Sequence, residues 1–256
     1  MNTASFNSVP YLLSAPRPSQ PTRGNDDMIK CVIIRDKRSR LKSLFPKYTM
    51  FLQDGDDKIA MTAEKQSGAR GANYYIWDMT RGSPGMKLSK KSGNFMGKLR
   101  GDSSGSGYSL FNNSSVKEQF GAFIFQKVTL TRQIKEGQIP RKLTVVLPPV
   151  GKDNCTVPVN VTCDADMIER FDQGLKQAGA TMVTKEPIFE RGQYRLNFHG
   201  RVTTPSVKNF QVTAPGDTRT VLAQFGRVSD DKFHLDFKHP FTPFQAFGMA
   251  LAQFNL

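Results

Sequence analysis

The sequence predicts a mostly β fold, an antiparallel layer system closed around a buried C-terminal helix. From Met28 onward, short runs rich in β-branched and aromatic residues recur, each bounded by Gly, Pro, Asn or Asp. Few helical stretches separate these runs, and parallel strands would each need a long crossover, so antiparallel pairing is expected. The segment Phe244–Phe254 carries no charged residue on any face, and a helix apolar all round must be buried all round.

Residues 1–27 are rich in Ser, Pro, Asn and Thr without helical or strand period, and they read as a flexible tail ahead of a domain over 28–256. Phe6, Val9, Tyr11, Leu12 and Leu13 are its stray apolar residues, a candidate docking segment for another protein. Strands are expected near 29–36, 48–53, 58–65, 73–78, 95–100, 108–112, 120–130, 142–148, 187–199, 206–213, 220–229 and 232–238. Between Asp164 and Ala180, the residues Ile168, Phe171, Leu175 and Ala178 recur at three- and four-residue intervals, so a surface helix is expected there, capped by Asp164 or Asp166. The last helix follows Pro243 and is too short to cross a bilayer. Its small residues Ala246, Gly248, Ala250 and Ala252 would let strands approach closely. The strand pattern fits a sandwich or a barrel, and this helix favours a barrel plugged by its own C-terminal segment.

Lys and Arg number 36 against 22 Asp and Glu, a formal charge of +14. An anionic partner is expected, and charge alone does not separate nucleic acid from the acidic cytoplasmic leaflet of a membrane. Cys31, Cys155 and Cys163 are scattered and odd in number, without the spacing of a disulfide framework or a zinc site. No secretory leader is read at the N-terminus, so the cytosol is the expected compartment, with the nucleus as the alternative. Gly101-Asp-Ser-Ser-Gly105 formally fits the GxSxG elbow, but Gly105-Ser-Gly-Tyr-Ser-Leu-Phe111 reads as a hairpin returning into a strand rather than a turn into a helix. His199, His234 and His239 show no metal-ligand spacing, and no phosphate-cradling GxxxxGK[ST] occurs. No catalytic residue, metal or cofactor is expected.

The stretches Leu196-Asn-Phe-His-Gly-Arg-Val-Thr203, Ser206-Val-Lys-Asn-Phe-Gln211 and Gln224-Phe-Gly-Arg-Val228 run in order into Phe233, Asp236, Pro240, Gln245-Ala-Phe247 and Ala250-Leu251. With Ile34-Arg-Asp36, Phe45-Pro46, Asn73-Tyr74 and Gly97-Lys-Leu-Arg100 upstream, the chain resembles the tubby family over roughly residues 28–256. That resemblance implies a closed antiparallel barrel of about twelve strands threaded by a hydrophobic C-terminal helix. It also implies binding of phosphoinositides, chiefly the 4,5-bisphosphate form, at a basic surface site on the cytosolic face of the plasma or ciliary membrane. In some members this tethers the protein to the membrane until signalling releases it, or lets it carry membrane proteins toward cilia. Trafficking partners would be met through residues 1–27.

A polyphosphorylated headgroup needs several cations converging from rigid strands, Arg as a bidentate fork and Lys as a point charge. By the resemblance, Arg100 of Gly97-Lys-Leu-Arg100 is the first candidate, and Lys98 shares its strand face if the strand is regular. The family's other contact is a basic strand, matched here by Ala63-Glu-Lys-Gln-Ser-Gly-Ala-Arg70: Lys65 matches its lysine, Ser67 replaces a second cation and Glu64 opposes them. Arg70 is a candidate from the following turn, with Lys87, Lys90 and Lys91 as a basic rim. Binding weaker or less selective than in typical members is expected. His199 is expected to play a structural role inside the barrel wall or at its rim, and Lys208 and Arg227 to be solvated strand charges.

Overall fold

The structure, a computed structural model, describes residues 11–18, 27–37, 45–54, 56–67, 72–81, 87–126, 141–163, 166–174, 179–190 and 193–255. Its strands in chain order are β1 (Ile29–Asp36), β2 (Lys47–Asp54), β3 (Asp56–Lys65), β4 (Asn73–Asp78), β5 (Phe95–Gly101), β6 (Gly107–Asn112), β7 (Glu118–Phe125), β8 (Leu143–Leu147), β9 (Val159–Asn160), β10 (Ala180–Thr184), β11 (Ile188–Glu190), β12 (Gln193–Arg195), β13 (Phe210–Thr213), β14 (Val221–Arg227) and β15 (Lys232–Phe237). Two α-helices accompany them among the described residues, α1 (Asp166–Asp172) and α2 (Pro243–Phe254).

Neighbouring strands follow the order β6-β5-β4-β3-β2-β1-β15-β14-β13-β10-β8-β7, and β7 pairs back onto β6, so these twelve antiparallel strands form a closed barrel. Closure leaves no free sheet edge around the wall, which removes the template for edge-to-edge association. The thirteenth strand, β9, pairs only with the start of β7 at Glu118 and Gln119.

Alternation along each strand sends one set of side chains inward, and α2 fills the lumen with all twelve of its residues buried. The helix starts as its sequence dictates. Pro243 occupies the first turn, where a missing N–H costs nothing. Thr242 Oγ1 accepts from Gln245 N, and Gln245 Oε1 accepts from Thr242 N, a capping box inside the core. The Gln245 amide also donates to Phe120 O at 2.9 Å and Thr156 Oγ1 at 3.2 Å, which ties the helix to the wall. At the other end Phe254 packs on Tyr48, Phe225 and Phe233, with ring centroids 4.5, 5.3 and 4.7 Å apart. A Cβ on Gly248 would meet both Leu110 methyls at 3.0 Å, so the close approach of helix and wall expected from the small residues is present.

Several expectations are corrected. Within the supposed tail of residues 1–27, Tyr11–Leu13 forms a 3-10 turn and Leu12 is buried in the main core. Ala15 N donates to Asn154 O and Thr156 N to Leu13 O, so this segment docks on its own barrel near the start of α2. The physical reason is the apolar barrel mouth, which gains from a hydrophobic cover. Residues 1–10 and 19–26 lie outside the described set. Of the helix expected over 164–180, the described part is α1, which Gly174, at φ 67°, follows, and Ala180 already belongs to β10; Asp164, Leu175 and Ala178 lie outside the described set. The expected strand at 187–199 is instead the hairpin β11–β12, paired only with itself, and the expected strand at 206–213 starts at Phe210. Strands β9 and β10 were not anticipated. Residues 127–130 of the strand expected at 120–130 fall outside the described set.

Candidate functional site

Strand β5 alternates cleanly: Gly97, Leu99 and Gly101 are buried, while Lys98 and Arg100 lie on the outer face of the barrel. Ladder register extends this face sideways. Lys98 stands between Tyr75 on β4 and Phe111 on β6, and Arg100 between Asn73 and Ser109. Aromatic rings carry the neighbouring cations. Lys90 Nζ lies 4.5 Å from the Tyr75 ring centroid, and Lys98 and Lys117 lie 5.5 and 5.9 Å from that of Phe111. The Gly97-Lys-Leu-Arg100 motif needs its glycine for a steric reason. A Cβ at position 97 would stand 2.0 Å from Phe111 O, inside the β6 backbone. Lys87 and Lys91 are exposed on the loop that precedes β5.

Lys65 is placed differently. It pairs with Tyr74, whose ring lies in the core, whereas its neighbour Glu64 pairs with the outer-face Tyr75. Lys65 therefore belongs to the inner register at the end of β3, and its Nζ donates to Asn255 Oδ1 at 2.9 Å, just past α2. The structure brings Lys98 and Arg100 together and sets Lys65 on the other side of the wall, with Glu64 on the face of Lys98. Arg70 lies outside the described residues, and Ser67 is exposed at the rim.

The inner rim near the end of α2 holds further cations that sequence reasoning read otherwise. Lys208 Nζ donates to Gln253 O at 3.0 Å, so it caps a helix C-terminus rather than standing in solvent. Burial, reinforced by Arg35, Arg141 and Lys37, lowers its pKa to about 8. Arg35 lies over the rings of Phe233 and Phe254 and pairs with Asp231 at 2.8 Å. Arg227 pairs with Asp230.

His199 is exposed in a turn with φ 49°, not set in the wall, and it is the neighbouring Arg201 that binds the fold together. Arg201 forms a fork onto buried Asp236 at 2.8 and 2.5 Å, and Gln224 Nε2 donates to the same carboxylate at 2.8 Å. The GxSxG match joins β5 to β6 as a hairpin. There Asp102 accepts from Ser104 Oγ, Ser106 N and Gly107 N, and no helix follows.

The family model described as Tub family matches residues 19–256. Tubby-related protein 2 of Homo sapiens is 33% identical over 259 residues, covering 93% of this chain and 47% of that protein. Tubby-related protein 1 of Mus musculus is 30% identical over 242 residues, covering 89% and 43%. Protein king tubby 2 of Culex quinquefasciatus is 32% identical over 242 residues, covering 89% and 54%. The chain thus spans about half the length of the curated relatives it matches. With the twelve-stranded barrel, the buried helix and the ordered motifs in agreement, the chain belongs to the Tub family.

Proposed function

We propose that this chain is a peripheral membrane adaptor. Its outer β4–β6 face binds a phosphoinositide headgroup, the 4,5-bisphosphate form being the expected ligand, and so links membrane lipid to protein trafficking or signalling. The observation that carries the reading is the pairing of Lys98 and Arg100 on one rigid face, within the Gly97-Lys-Leu-Arg100 motif of a Tub family chain. A closed barrel holds both Cα positions fixed, so their side chains converge without a large ordering cost. Arg100 supplies a planar fork for phosphate oxygens and Lys98 a point charge. Lys90 and Lys117 add attraction toward an anionic leaflet at about 1 kcal/mol for each cation near the surface.

In this reading Lys65 contributes from the rim, by exchanging its Asn255 partner for a phosphate, and Arg70 is a further headgroup cation. Glu64 on the outer face and Ser67 at the rim weaken selectivity among isomers. The site of action is the cytosolic face of the plasma or ciliary membrane, and trafficking proteins are partners met through residues 1–27.

Liposome co-sedimentation tests this, using the 4,5-bisphosphate lipid, its isomers and charge-matched phosphatidylserine across a salt series. Selective binding that falls about tenfold or more in Arg100→Ala and Lys98→Ala, and less in Lys65→Ala, is expected from the loss of charge-assisted contacts. Equal binding to every anionic lipid, untouched by these substitutions, refutes a discrete pocket. Tight, steeply salt-dependent binding to duplex DNA or RNA in its place would favour the nucleic-acid reading that the +14 charge also permits.

A further inference from the structure

Exposed apolar side chains and cations meet at one end of the barrel, the end where α2 finishes. Phe45 is 44% exposed in the segment that leads into β2. Pro46 after it is buried, and Tyr48 packs its ring on Phe254 at 4.5 Å. A backbone anchored on the core side thus presents the Phe45 ring to solvent. Val207 is exposed at the same end, since the next residue, Lys208, reaches the Gln253 carbonyl with its Nζ. A lone exposed apolar side chain needs no explanation, so the setting of these two must carry any role.

That setting is cationic. Arg35 and Lys37 share the one carboxylate of Asp231, at 2.8 and 3.7 Å. Lys65 donates to the neutral Asn255 side chain, and Arg35, Arg141 and Lys37 lie close enough to Lys208 to act on its charge. Asp36 and Glu64 stand opposite Lys47 in the β1–β2 and β2–β3 ladders, so a positive surplus remains beside them. Two headgroup candidates belong to the same end. Lys65 closes β3 and pairs with Tyr74, while Arg100, one residue before the end of β5, pairs with Asn73, the neighbour of Tyr74 on β4. The opposite end also exposes apolar groups, Tyr11 and Val157, but it lies where α2 starts, at the far ends of these strands.

We infer that the end of the barrel where α2 finishes is laid on an anionic bilayer, with the Phe45 ring as an inserted wedge and Val207 as a smaller contact. This deepens the membrane reading above and rests on it. The cations draw that end toward the acidic leaflet, and a ring entering the boundary between headgroups and acyl chains leaves water for an apolar medium. A headgroup held by Arg100 and Lys65 and a ring seated in the same leaflet act together, each raising the effective concentration of the other.

The test sets vesicle binding against binding of the soluble headgroup. The full chain is co-sedimented with phosphatidylcholine vesicles carrying phosphatidylserine and the 4,5-bisphosphate lipid, and inositol 1,4,5-trisphosphate is titrated by calorimetry. Phe45→Ser is expected to weaken vesicle binding about tenfold while its trisphosphate affinity stays that of the wild type. That factor corresponds to about 1.4 kcal/mol, less than full burial of an aromatic side chain supplies. Val207→Ser falls by less, and Val157→Ser, at the other end, is unchanged. In Phe45→Trp the new indole is quenched by brominated acyl chains, against a constant background from Trp77, which is only 2% exposed. Wild-type vesicle binding in Phe45→Ser, an unquenched Phe45→Trp, or an equal loss in Val157→Ser overturns the inserted wedge and leaves the headgroup site standing. A parallel loss of trisphosphate affinity in Phe45→Ser overturns it too, since the ring would then act through the fold. An unquenched Phe45→Trp in a concentration-dependent dimer would give the ring to a second copy of the chain instead. Should trisphosphate fail to bind while phosphatidylserine vesicles still quench Phe45→Trp, the headgroup reading falls and the bilayer-facing end stands.

Discussion

Replacing Gln245 with Met keeps the length of a fully buried side chain and deletes three side-chain hydrogen bonds at once. The Thr242 N–H loses its acceptor, and Phe120 O and Thr156 Oγ1 lose their donor, all of them away from water. Two buried backbone groups orphaned at about 1–3 kcal/mol each, offset in part by the better transfer of a thioether, amount to about 3 kcal/mol. Against a total stability of about 5–15 kcal/mol this is a large fraction. For a chain of this size it lowers the thermal midpoint by roughly 6–12 °C. Urea unfolding followed by Trp77 fluorescence gives the free energy directly, if the slope against denaturant is unchanged. The partner substitution Thr242→Val should be strongly non-additive with Gln245→Met, because both cut the same capping box. A loss below about 1 kcal/mol for Gln245→Met, or simple additivity of the pair, would refute the view that this box holds the helix to the wall.

Arg201→Met should cost about 3–5 kcal/mol by leaving Asp236 charged and buried, and adding Asp236→Leu should recover most of it, as read by chemical denaturation of the single and double variants. Gly97→Ala drives a Cβ into Phe111 O, so β5 and β6 must separate at Lys98. A destabilisation of about 1–3 kcal/mol, with weakened liposome binding, is expected. Burial lifts the Tyr48 hydroxyl to about 12 and raises Tyr74 further. Since an unfolded tyrosine ionises near pH 10, stability from these groups is complete below about pH 10 and is lost as pH rises through about 12. An alkaline unfolding transition that shifts to higher pH in Tyr48→Phe is the expected result. An unmoved transition would mean that other groups govern it.

The sequence by itself determined the strand-rich class, the burial of α2 and the outward pairing of Lys98 with Arg100. Each follows from a local rule: β-branched runs between turn residues, an apolar face all round, and alternation over two residues in a strand. It also carries a strand signal for β10 in the β-branched character of Thr181-Met-Val-Thr184, which lies beside the helical spacing of Ile168 and Phe171. What only the tertiary structure decided depends on partners distant in the chain. Lys65 faces Asn255 across a separation of 190 residues, and Arg201 meets Asp236 across 35. Leu12 leaves the supposed tail because a barrel mouth closed by far-off strands gives it an apolar seat. Alternation says on which side of a strand a residue lies. Only closure of the sheet says what waits there.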